Sequence, residues 1–204
     1  MVYSVVIATL VSYLLGNLNG AVCMSALMHD DVRSHGSGNA GLTNFIRNYG
    51  AGRALYVILI DAGKAYLACL CSGLLLEPYG FGLEGVMLGG VAVMLGHDFP
   101  ALLGFKGGKG ILSGLFVALA LDWRIAVLLL VVFFVAYFAT KYVSLGSVLG
   151  CVSFGVGCVI WHNDNLLVMV CGILIAALTV FMHRGNIARL LKGTERKTEL
   201  FKKK

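Results

Sequence analysis

Seven apolar stretches, at about residues 2–24, 54–76, 83–95, 111–121, 125–140, 145–160 and 166–182, follow one another with only short polar connections between them. A helix needs about 20 apolar residues to cross a bilayer, and backbone in lipid must pair all its polar groups internally. The pattern predicts an all-α fold: a polytopic transmembrane helical bundle of about seven spans, some short or broken. The stretches at 83–95 and 111–121 are the short ones, and they either extend into the flanking polar motifs or are shielded by neighbours. Of 204 residues, 59% are hydrophobic and 13% charged. Soluble domains carry roughly twice that charged share, so a soluble globular protein is excluded and no room is left for a separate soluble domain. Residues 1–204 are expected to form a single integral membrane domain. Val2–Leu15 lacks a basic leader and a small-residue cleavage site, so it is expected to be a true first span.

The six cysteines lie in apolar runs with no CxxC pair and no histidine at ligand spacing. They are small buried hydrophobes by this pattern, and no metal and no cofactor are expected. Lys and Arg are distributed unevenly among the connections. With seven spans, one side receives Arg33, Arg47, Arg53, Lys106, Lys109, Lys141 and the tail from Arg184 to Lys204; the other receives Arg124, with Glu77, Glu84, Asp122 and Asp164. The positive-inside rule places the amino terminus outside and the carboxyl terminus in the cytoplasm. The last few residues of the basic tail are expected to lie against anionic headgroups.

Four polar clusters fall on that cytoplasmic side. Arg33 to Arg47 supplies Ser37, Asn39, Thr43, Asn44 and Arg47, with glycines at 36, 38 and 41 that let backbone N–H groups turn toward an anion. A short helix beginning at Asn44 would add a partial positive charge there. Asp61 and Lys64, three apart within a span, can neutralise each other; a structural ion pair and a catalytic role both fit. Gly96 to Gly110, GHDFPALLGFKGGKG, combines His97, Asp98 and a glycine-rich loop with Lys106, Gly107, Gly108 and Lys109, which suits a phosphate group. It is not a Walker A loop, because Leu103 and Gly110 stand at two of that motif's required positions. Ser144 and Ser147 share one side of a helix start, and His183, Arg184 and Asn186 follow the last apolar run.

Together the strings GSGNAGLTNFIR (36–47), DAGK (61–64), GHDFPALLGFKGGKG, KYVSLGS (141–147) and HRGNIARLLKGTE (183–195) resemble the bacterial acyl-phosphate-dependent glycerol-3-phosphate acyltransferase family, in order and in spacing. Leu42, Phe45, Ala40 and Gly185 depart from the residues usual in that family and bear on packing and substrate preference. The HxxxxD signature of the other large acyltransferase superfamily is absent.

The resemblance implies a multi-pass enzyme of the bacterial inner membrane with its active site facing the cytoplasm. Its substrates would be glycerol 3-phosphate and acyl phosphate, its products lysophosphatidic acid and inorganic phosphate. Catalytic roles would fall to Ser37, Arg47, His183 and Asn186; substrate binding to Asn39, Thr43, Asn44, Lys106, Gly107, Gly108, Lys109, Ser144 and Ser147. Glu195 would be structural. The proton of the attacking hydroxyl would go to His183 or to the donor's own phosphate. Membrane lipid is the expected surrounding partner, nucleic acid is not a partner, and the expected state is a monomer in functional contact with the enzyme that makes acyl phosphate. The rival classes are a small anion transporter, which requires polar residues in the outer halves of the spans, and a scaffold with a basic cytoplasmic face.

Overall fold

A computed structural model describes residues 1–197, so the reading of the last basic residues as a headgroup contact lies largely outside it. The described residues hold ten α-helices: α1 Val2–Gly16, α2 Gly20–Ala26, α3 Leu42–Tyr49, α4 Ala54–Leu76, α5 Gly82–Asp98, α6 Ile111–Leu121, α7 Trp123–Thr140, α8 Val143–Trp161, α9 Leu166–Met182 and α10 Arg184–Leu191. No strand occurs among them, and the protein is an all-α membrane protein. α4, α5, α7 and α8 are each long and apolar enough to cross a bilayer, α5 with its continuation to Leu103. Two bent pairs, α1 with α2 (46°) and α9 with α10 (59°), raise the count to as many as six if each pair is one span. The remaining apolar stretch, α6, has 11 residues and reaches about 16 Å, roughly half the hydrocarbon thickness.

The run at 2–24 therefore does not form one straight helix. Asn17 and Asn19 interrupt it. Asn19 caps α2 by accepting from the Val22 N–H at 3.0 Å, and Asn17 donates back to Tyr13 O at 2.7 Å. Asparagine side chains compete with helical hydrogen bonds in this way, which favours them at caps over interiors.

The chain divides into two compact units, Met1–Leu121 and Asp122–Lys204. In the first, α4 and α5 pack on each other and on α1, while α2, α3 and α6 pack on α4. Small residues set these crossings. A Cβ at Gly96 would lie 2.1 Å from the Tyr13 carbonyl oxygen, and one at Gly16 would lie 2.4 Å from the Val93 carbonyl oxygen. α1 and α5 thus meet backbone to backbone, the arrangement by which membrane helices gain packing where lipid offers no hydrophobic drive. Ser12 and Ser72 bond across α1 and α4 at 3.0 Å. α3 is amphipathic and sets Phe45 into a buried cluster with Ala21, Met24, Val32 and Val57, with Leu42 and Tyr49 at its edge. In the second unit α8 lies between α7 and α9, and Gly146 and Gly150 approach the Phe133 and Leu129 carbonyls of α7.

Candidate active site

In the first unit, the segment before α3 is organised by one buried side chain. The Asn44 amide nitrogen faces the carbonyls of Val32, His35 and Asn39 at 3.0, 3.1 and 3.1 Å, and its oxygen accepts from the Ser37 N–H at 3.0 Å. α3 consequently begins at Leu42, with Gly41 as its cap and no side-chain cap bond, earlier than the start expected at Asn44. The amide expected to bind substrate is instead turned back on the loop that carries Ser37 and Asn39. Gly36 is required here: its φ is +61° and a Cβ would come within 2.4 Å of the Asn44 oxygen. Ser37 and Arg47 are exposed, and Asn39 and Thr43 half-buried.

The second glycine-rich loop packs against this one. It opens with two successive left-handed residues, Gly104 (φ 64°) and Phe105 (φ 60°), a conformation unusual for an aromatic side chain. Arg33 donates to Leu103 O at 3.2 Å and to Lys106 O at 3.5 Å. Its own aspartate, Asp31, holds it through a two-oxygen contact at 3.0 and 3.1 Å, and the hydrogen bond from Arg33 keeps the Asp31 carboxyl below the usual carboxylate range. Asn19 donates to Ala40 O at 2.9 Å, and that same carbonyl would lie 2.8 Å from a Cβ on Gly108. Gly107 is equally confined, 2.0 Å from the His97 carbonyl by the same construction. The Gly108 N–H is bonded to His97 O at 3.1 Å and so faces the end of α5. Lys106 is exposed and Lys109 half-buried.

Beneath this loop lies a polar knot inside the bundle. Lys64 Nζ is 2.8 Å from Asp61 Oδ1, 2.7 Å from His97 Nδ1 and 3.2 Å from Gly16 O, and it also donates to Leu18 O. Asp61 Oδ1 further accepts from the Gly20 N–H at 3.0 Å. All three side chains are buried. The pair foreseen as an ion pair is one, and it is tied to a histidine 33 positions away.

In the second unit, Glu195 is the hub. It accepts from Ser144 Oγ at 2.8 Å and Asn186 Nδ2 at 2.7 Å on one oxygen, and from Arg189 Nε at 2.7 Å on the other. Burial pushes this carboxyl up, but the three hydrogen bonds outweigh it and leave it below the usual range. Ser147 donates to Val143 O at 2.9 Å, so the hydroxyl protons of both serines are committed within the protein rather than offered to a ligand. His183, buried at the bend between α9 and α10, has Nδ1 2.8 Å from Thr179 O. A nitrogen that close to a carbonyl carries the proton, which leaves the lone pair on Nε2. An apolar groove of about 630 Å³ runs between α8 and α9, lined by residues such as Gly155, Val159, Ile173 and Phe181.

Sequence reasoning passed over Asn17 and Asn19 and gave Arg33 no site role beyond opening the first polar cluster. Two asparagines inside an apolar run were the available signal, since unsatisfied amides are costly in lipid. The contact of Arg33 with the second loop had no local cue, because the carbonyls it reaches there are 70 or more residues away.

Fold and polar loops define an α-helical integral membrane protein with donor-rich segments at the ends of its helices. The glycerol-3-phosphate acyltransferase family model matches residues 6–193. A glycerol-3-phosphate acyltransferase of Finegoldia magna is 38% identical over 193 residues, covering 94% of this chain and 95% of the relative. That of Clostridioides difficile is 38% identical over 205 residues, with 96% of each covered. The crystal structure of PlsY, an integral membrane glycerol 3-phosphate acyltransferase, superposes in its glycerol 3-phosphate form with a TM-score of 0.86 at 31% identity over 96% of both chains. Its lysophosphatidic acid form gives 0.84 at 30%. The chain belongs to the glycerol-3-phosphate acyltransferase family.

Proposed function

We propose that this protein transfers a fatty acyl group from acyl phosphate to the 1-hydroxyl of sn-glycerol 3-phosphate, as the first acylation of bacterial phospholipid synthesis. The observation that carries the reading is the packing of the 33–40 segment on the 103–108 loop, through Arg33 on the Leu103 and Lys106 carbonyls and Gly108 against the Ala40 carbonyl, in a chain whose relatives are glycerol-3-phosphate acyltransferases over nearly its whole length. The cations are Arg47 on the amphipathic α3 and Lys106 and Lys109 in the segment between α5 and α6. Two phosphorylated reactants repel each other, and fixed cations offset that repulsion as charge shifts to the leaving phosphate.

In the reaction, the substrate hydroxyl oxygen bonds to the acyl carbonyl carbon, and the carbon–oxygen bond to phosphate breaks with its electron pair leaving on phosphate. The hydroxyl proton goes to His183 Nε2, for which the Nδ1 contact with Thr179 O fixes the tautomer, or directly to the departing phosphate. Positioning two reactants in line supplies about 7–11 kcal/mol of the barrier in well-oriented systems, so no cofactor is called for. Ser37, Arg47, Asn39 and Thr43 contact one phosphate; Lys106 and Lys109 balance the other. Asn186 and Ser144 act through the Glu195 network, with Glu195 as its structural centre, and Ser147 lies one turn along α8 from Ser144. The acyl chain occupies the apolar groove between α8 and α9. The active site faces the cytoplasm from the inner membrane, and the protein works as a monomer beside the enzyme that makes acyl phosphate.

The test is purified protein in detergent with palmitoyl phosphate and radiolabelled glycerol 3-phosphate. Labelled lysophosphatidic acid and one phosphate per turnover are expected. Absence of product, or product from palmitoyl-CoA in place of palmitoyl phosphate, overturns the reading.

A further inference from the structure

The buried knot of Asp61, Lys64 and His97 does more than neutralise a charge inside the bundle. The ammonium of Lys64 has three protons and four acceptors around it: Asp61, Leu18 O, His97 Nδ1 and, longest at 3.2 Å, Gly16 O. A ring nitrogen 2.7 Å from an ammonium accepts, so the imidazole is neutral and its proton sits on Nε2. Its 3.7 Å approach to Asp61 is then a shared proximity to Lys64 and not an ion pair. With the ring orientation set, Nε2 ends against Gly108: a Cβ there would lie 2.2 Å from Nε2 and 3.1 Å from the neighbouring ring carbon. The backbone of the same histidine accepts the Gly108 N–H, and its carbonyl confines Gly107. One residue therefore holds the double-glycine turn by carbonyl and by ring.

We propose that His97 is a positioning residue for the Gly107–Gly108 turn, with Lys64 and Asp61 fixing its tautomer and ring plane from within the membrane. The proposal rests on the reading of that turn as a phosphate-holding loop. Glycine at 107 and 108 is demanded by this contact, since each would-be Cβ meets atoms of His97. Two substitutions separate the two edges of the ring. In His97→Gln the side-chain nitrogen reaches the place of Nε2 and can still face Gly108. In His97→Asn the short amide can answer Lys64 but leaves the space beside Gly108 open.

The experiment measures KM for glycerol 3-phosphate, kcat, thermal midpoint in detergent, and inorganic phosphate binding by calorimetry for wild type and both variants. His97→Asn is expected to raise KM and weaken phosphate binding about tenfold, the size of one lost hydrogen bond or contact, with kcat and thermal midpoint changed far less. His97→Gln is expected to stay within about threefold of wild type on the same grounds. Equal losses in the two variants, or a loss that follows the thermal midpoint, overturn the proposal. A wild-type protein that binds phosphate but makes no lysophosphatidic acid would sink the acyltransferase reading alone, and the phosphate-binding arm would still decide the role of His97.

Discussion

His183 and Lys64 are both buried and both bound by short polar contacts, yet they answer to different tests. With His183 Nδ1 held by Thr179 O, the base proposed above is Nε2, and a base of this kind contributes about 10²–10⁴ in rate. His183→Ala is expected to lower kcat by at least about a hundredfold on that scale while the thermal midpoint holds; a near-normal rate in a folded variant assigns the proton to the substrate phosphate. Lys64 makes contacts that point to a structural role. Its removal leaves Asp61 buried with the Gly20 N–H as its remaining close donor, and breaking a buried pair costs about 3–5 kcal/mol. Thermal unfolding of Lys64→Met is expected to show that loss, whereas Asp61→Leu combined with Lys64→Met recovers most of it, because replacing both partners removes the desolvated charge. The double variant should still bind phosphate poorly, since His97 would have lost the donor that orients it.

Among the elements, α1 and α5 depend on an approach that tolerates no side chain. A Cβ at Gly96 meets a backbone oxygen at 2.1 Å, which cannot rotate away, so Gly96→Ala must push the helices apart. A cost of about 1–3 kcal/mol is expected for such overpacking, read as a lower thermal midpoint, and a larger residue at the solvent-side Gly52, with nothing within 4 Å, serves as the neutral control. α8 and α10 are joined differently, through Glu195. Its folded-state carboxyl sits below the ordinary value of 4.5, so the unfolded chain takes up a proton first. The clip's stabilisation is then complete above about pH 4.5 and fades as pH falls through the lowered value. Limited proteolysis after α10 should accelerate below that point in wild type and be insensitive to pH in Glu195→Gln; an unchanged wild-type rate down to pH 3 would rule the clip out. These elements also mark what the sequence made legible. The long spans were readable because each is a predominantly apolar run, and the Asp61–Lys64 pair because helical spacing brings it together. The break at Asn17–Asn19, the early start of α3 and the link from Lys64 to His97 were not, because each is decided by partners far along the chain.

At the scale of the whole molecule, the disposition of charge is the feature that local contacts do not explain. Basic residues gather in the segments before α4, between α5 and α6, at the start of α8 and after α9, while the turns at 77–84 and 162–164 carry acids and a histidine. Lys and Arg near helix ends resist translocation, which fixes orientation during insertion. Helix count alone leaves this open, since α6 covers only about half the bilayer; a half-span that enters and leaves on one face would change the parity on which the two termini depend. Charge and parity therefore make separate demands, and single cysteines in a background lacking the native six distinguish them. Tyr79→Cys and Asn163→Cys lie at exposed positions in the acidic turns, Ala51→Cys and Thr194→Cys at exposed positions in the basic ones. A membrane-impermeant maleimide is expected to label the first two in intact cells and the second two only after permeabilisation. Labelling of Ala51→Cys from outside would reverse the orientation. Agreement at 51, 79 and 194 with failure at 163 would instead mean that α9 does not cross and that one crossing between residues 79 and 163 is also missing.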